Sequence, residues 1–189
     1  MSVDACYRRI TAQELAELRS DPGRIEAFFG NFNFDDFEDD EELDAAMIAF
    51  QEALEASGRY LGILNEHQAL NFLLTGLAEG GTPPLGSVVE GGTLLGDSDV
   101  GYGPPRFLMP DEVREAAMAL TGVTENEIRT RFDPTMMNEA EVYPANRQVT
   151  AGSGWRENDW EGLVKLFQAV KTLFLDAARD GDAILFWYQ

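Results

Sequence analysis

Apolar residues recur at helical spacing in several stretches of the chain. Trp160, Leu163, Phe167, Val170, Phe174 and Ala177 predict one face of the longest helix, from about Asp159 to Arg179, with Gly181 as its stop. Leu43, Met47, Phe50 and Leu54 predict a second helix, ended near Gly58. Val113, Ala116, Ala117 and Leu120 predict a third, opened by Pro110. Around Leu70, Phe72, Leu73 and Leu74 the pattern is apolar nearly all round, which predicts a buried helix closed by Gly76. Other runs follow a different rule. Ala183 to Tyr188 is almost continuously apolar, as a central strand is. Ala5 to Ile10 reads as a further strand, and Ser87–Val89 and Thr93–Leu95 as two short ones split by Gly91-Gly92.

Polar punctuation sets the boundaries. Thr11 with Glu14, and Thr124 with Glu127, are capping boxes. Asn65 with Gln68 has the same reciprocal spacing and predicts another helix start. Asp21-Pro22 starts a helix carrying Ile25, and Asp133-Pro134 starts a short turn. Glu141-Val142-Tyr143-Pro144 reads as extended, because a residue before proline avoids the helical region. Residues 145–158 read as a loop. Together these elements predict one compact α/β (α+β) domain over residues 1–189. Its small mixed sheet would pack with several helices, including a long C-terminal one.

Composition narrows the function classes. The 189 residues hold 34 Asp and Glu against 14 Lys and Arg, a formal net charge of −20. Nucleic acid is excluded as a partner, because phosphate binding needs clustered Lys and Arg. Anionic membrane surfaces are disfavoured for the same reason. A cationic protein is attracted and steered. Cys6 is the one cysteine, so no intrachain disulfide forms. The N-terminus lacks the basic start and apolar run of a signal peptide, so the expected location is the cytoplasm.

Candidate chemistry is sparse. His67 is the one histidine, so any Cys–His pair would be Cys6 with His67. One His and one Cys cannot furnish a zinc site, and no metal or other cofactor is expected. The run Phe34-Asp35-Asp36-Phe37-Glu38-Asp39-Asp40 mixes aromatic anchors with carboxylates, as fast-associating interfaces do. Phe34, Asp35, Asp36, Phe37, Asp39 and Asp40 are therefore the expected partner-binding residues. A second candidate site is a pocket formed by Asn71, Tyr102, Arg106, Glu141 and Tyr143, which offer donors, acceptors and aromatic walls. Glu139 and Glu141 would share a face if extended.

Several segments in order resemble one family. They are Asn71-Phe72-Leu73-Leu74-Thr75-Gly76, Val100-Gly101-Tyr102-Gly103-Pro104-Pro105-Arg106-Phe107-Leu108 followed by Pro110-Asp111-Glu112-Val113, Arg131-Phe132-Asp133, and Glu139-Ala140-Glu141-Val142-Tyr143-Pro144. The chain resembles the YfbM-like family of uncharacterised bacterial proteins, a domain of unknown function. The resemblance implies a compact α/β fold and no particular reaction. Its members tend to carry a Trp and, one helical turn later, a His where this chain has His67 and Asn71. The reading of function is therefore an acidic bacterial protein that binds a basic protein partner, an immunity-type inhibitor of a toxin being its sharpest form. The alternative is a small-molecule binder or small enzyme whose reaction the sequence does not name.

Overall fold

A computed structural model describes residues 3–28, 39–97, 99–143 and 154–189. Of the expected partner-binding residues, Phe34, Asp35, Asp36 and Phe37 lie outside these described residues, while Asp39 and Asp40 lie within them.

The core of the fold is a five-stranded sheet of order β2-β1-β5-β4-β3. The strands are β1 (Asp4–Ile10), β2 (Tyr60–Leu64), β3 (Thr93–Leu94), β4 (Arg106–Leu108) and β5 (Ala183–Tyr188). The apolar run of β5 does lie at the centre, between β1 and β4. Every pairing is antiparallel, in place of the mixed sheet expected from sequence. The long helix reverses direction at Gly181 into β5, and β5 meets β1 from the opposite end of the chain, so no parallel crossover arises. Ser87–Val89 is not a strand. Leu85–Ser87 is a 3-10 turn, and Val88 and Val89 are buried, with carbonyls that accept hydrogen bonds from the Tyr7 and Tyr188 hydroxyls at 3.1 and 2.8 Å.

Strand periodicity divides the interior in two. Ala5, Tyr7, Ile184 and Phe186 face the larger core. They meet α3 (His67–Thr75), α4 (Pro110–Gly122) and α7 (Trp160–Asp180), with α5 (Glu125–Arg131) and α6 (Pro134–Glu139) beyond. The stripe Leu163, Phe167, Val170, Phe174 and Ala177 of α7 is buried there as predicted. Cys6, Ile10, Leu185 and Trp187 face a smaller core with Leu15 and Leu18 of α1 (Ala12–Ser20) and with Ile25. Asp21-Pro22 opens a 3-10 helix, Pro22–Phe28, rather than an α-helix. No helix among the described residues is long and apolar enough to cross a membrane.

The caps follow local chemistry. Both boxes form, at Thr11 with Glu14 and at Thr124 with Glu127. Asn65 does not cap α3: it sits at φ 58°, its Oδ1 accepts from the Tyr143 hydroxyl at 2.8 Å, and Glu66 takes the cap position without a side-chain bond. Gln68 is likewise diverted, accepting from the Tyr143 backbone N–H at 2.9 Å. The remaining helix, α2 (Asp40–Ala56), starts on Asp39, whose carboxylate accepts from the Glu42 N–H at 2.9 Å. This helix buries only Leu43, so its start is held mainly by the cap. Asp39→Ala is expected to cost about 1 kcal/mol. Amide hydrogen exchange would show this as faster exchange confined to the first turn of α2, and unchanged exchange there would contradict it.

Candidate functional site

α2 carries Asp39, Asp40, Glu41, Glu42 and Asp44 at one end and Glu52 and Glu55 at the other, with no lysine, arginine or histidine between residues 39 and 58. Acidic residues in the first turn complement the positive end of the helix macrodipole, which explains the crowding there. Apolar residues on the same helix are left open to solvent: Met47 is 49% exposed and Ile48 59%. The helix leans on β2 and leaves a groove of about 550 Å³ between itself and the smaller core. Met47, Ile48 and Leu54 form one wall, and Tyr60, Val100 and Trp187 the other. Beneath that second wall the Tyr60 hydroxyl points at the Cys6 sulfur, 3.2 Å away. Burial raises the Cys6 thiol pKa, which makes it a poor nucleophile.

The five residues of the expected pocket lie around β5 and α3. Asn71 is fully buried and donates its amide to the Leu77 and Gly80 carbonyls, at 2.9 and 2.8 Å, tying down the loop after α3. Tyr143 stacks on His67, with ring centroids 5.9 Å apart. The Tyr188 ring also contacts His67, tilted, with centroids 5.3 Å apart. Tyr102 is exposed, and its backbone N–H donates to the Tyr188 carbonyl at 2.9 Å. Gly101 makes that approach close: at φ 144° any Cβ there would collide with the Tyr188 carbonyl. Arg106, in β4, acts electrostatically on Glu90 and Tyr188. Glu141 is exposed at φ 52° in a turn, so it does not share a strand face with Glu139, the last residue of α6. None of the five lines the α2 groove or the polar cleft of about 500 Å³ beside Asn65, Glu66 and Lys165. No group of three or more His, Cys, Asp or Glu among the described residues could hold a metal ion. Cys6 and His67 pack into different cores, on opposite faces of the sheet, so they form no catalytic pair.

His67 is the residue whose surroundings most exceed what its sequence context announced. It is 6% exposed, and its Nδ1 is buried without a hydrogen-bond partner. Burial pushes its pKa below the ordinary value, partly offset by the negative charge of Asp4. The unfolded chain therefore binds a proton that the folded protein resists. Its contribution to stability must fall as pH drops below about 6.5 and level off under the folded pKa. Glu66 and Glu90 have carboxyl pKa values raised first by burial, and they give the opposite slope above the usual carboxylate range. His67→Phe is expected to flatten the acid-side fall in urea midpoint between pH 7 and pH 5. An unchanged difference between those midpoints would show that His67 is not its source.

Residues 1–187 match the DUF1877 domain, a domain of unknown function. The chain belongs to the DUF1877 family. Among solved structures it is similar to YfbM from Escherichia coli, a protein of unknown function, with a TM-score of 0.62, 19% sequence identity and 98% of each chain covered. That likeness speaks to the fold alone. A search of curated proteins returned no match. Within the DUF1877 fold seen here, α3 holds His67 and Asn71, both buried. Asn71 there ties down the loop after α3.

Proposed function

We propose that this protein is a binding module for a basic protein partner, docked on α2, and that an immunity-type inhibitor of a cationic toxin is the sharpest form of that role. The observation that carries the reading is that one helix combines a run of carboxylates, with no lysine, arginine or histidine in the same stretch of sequence, and an open apolar groove. Charge alone repels most surfaces and attracts basic ones, which sets partner class and association rate. Exposed apolar residues beside it supply the desolvated anchors that make an encounter last. The small-molecule alternative has less support, because its five expected residues point to separate structural tasks around Tyr188 and α3.

The test uses the native host lysate at low ionic strength. The whole protein should retain a basic protein, and the Asp40→Asn, Glu41→Gln, Asp44→Asn, Glu52→Gln variant should lose it. Asp39 is kept because it caps the helix. Equal retention by the variant, with its circular dichroism unchanged, would refute the reading.

A further inference from the structure

We infer that the α2 groove is shaped for a cationic amphipathic helix of the partner, laid alongside α2; this rests on the basic-partner reading above. Asp44, Met47, Ile48 and Gln51 stand at i, i+3, i+4 and i+7, so they form one continuous stripe down α2. The stripe is apolar in the middle and polar at both ends. Three turns of helix are spanned by these positions and Leu54, about 15 Å of groove length. That is the footprint of a helix presenting its own i, i+3/i+4, i+7 anchors.

The groove favours a helix over an extended segment on backbone grounds. Its walls are side chains: α2 contributes one, and Tyr60, Val100 and Trp187 the other. The amides and carbonyls along the middle of α2 are committed to their own helix. An extended chain lying there would leave its backbone groups without partners, and such groups are costly when removed from water. A helix brings its backbone already satisfied and adds only side chains. Packed against α2, it would cover Met47 and Ile48, which the fold leaves largely exposed. Its flanks would lie beside Asp40, Asp44 and Glu55, which call for lysine and arginine on those faces. A second copy of this chain does not fit, since α2 would then face the same carboxylates. An anionic membrane surface is excluded by the same sign of charge.

The experiment uses two synthetic peptides of about 14 residues with identical leucine and lysine content. In one, leucine follows the helical period; in the other, the order is scrambled to remove it. Each is titrated into the whole protein, reading affinity by fluorescence anisotropy of labelled peptide and peptide helicity by circular dichroism. The patterned peptide is expected to bind and become helical, at least about tenfold more tightly than its isomer, as burial of an apolar side chain allows. Ile48→Asp should weaken it by about tenfold even though the variant adds an attractive charge, and Ile48→Ala should weaken it less. Thermal melts of both variants confirm folding. Equal binding of the two peptides would overturn the helix inference and leave the basic-partner reading standing. Tighter binding to Ile48→Asp would overturn the groove as the docking place. No binding of either peptide at low salt would overturn the inference and the reading together.

Discussion

Replacing Arg9 by alanine is expected to destabilise the protein by about 3 kcal/mol, at the lower end of the range for breaking a buried ion pair. Arg9 is 7% exposed, in β1, and donates through Nε and Nη2 to Asp182 Oδ2 at 3.1 and 2.8 Å. Asp182 is 7% exposed as well, just before β5. The same Nη2 reaches Asp180, whose carboxyl is held down to about 2 by Arg179 first and Arg9 second. Without the guanidinium, the Asp182 carboxylate stays buried with, among the described residues, Arg59 as its remaining ion-pair partner, 4.0 Å away. That remaining arginine, and the half-exposed Asp180, keep the loss from being larger. The melting temperature should fall by about 6–12 °C for a chain of this size. Arg9→Met combined with Asp182→Leu should recover most of the loss, since an apolar pair of similar volume avoids the cost of desolvating two charges. A single-variant loss below about 1 kcal/mol in urea unfolding would contradict the assignment.

The second large effect concerns association. Removing four carboxylates from α2 should slow binding of the retained basic protein by about tenfold or more at low salt, because clustered charge of one sign raises on-rates by factors of about 10–1000. The difference between wild type and variant should shrink as salt rises, and nearly vanish near 1 M, where screening acts over about 3 Å. Stopped-flow measurement across ionic strength checks both points. Dissociation should change less than association, because the apolar groove is untouched. A variant that slowed dissociation or showed no salt-dependent gap would place the binding face elsewhere.

Local chemistry announced the parts of the fold that local chemistry controls. The capping boxes at Thr11 and Thr124 need only neighbours three residues away, and both form. The stripe of α7 and the apolar run of β5 also read true, because burial against a core is written in their period. β2 was silent: it is a five-residue edge strand, interrupted by Gly62, with only Ile63 buried. Val88-Val89 had strand composition, yet its carbonyls are taken by tyrosines 81 and 99 residues away in the chain. Asn65 had the right spacing for a cap and was claimed by Tyr143 instead. In each case a distant partner outbid the local preference.

The site divides the same way. The acidity of α2 was legible, and so were Met47 and Leu54, since these lie within one element; Ile48, off the stripe of Leu43, Met47, Phe50 and Leu54, was not. The opposite wall of the groove was not, because Tyr60 and Trp187 come from β2 and β5, strands brought to either side of β1, and their rings meet across it. His67 was visible as the one histidine. Nothing in its sequence neighbourhood signalled its ring contacts with Tyr143 and Tyr188, which lie 76 and 121 positions further on. Arg9 and Asp182 carried no signal at all, being 173 residues apart.

Hydrogen exchange of the whole protein, alone and with its retained host partner, tests the docking face most directly. The expected footprint is slowed exchange in α2, at Tyr60 and at residues 187–189, with α4 and α5 unaffected. Slowed exchange centred instead on His67 and Tyr143, with α2 unchanged, would contradict it.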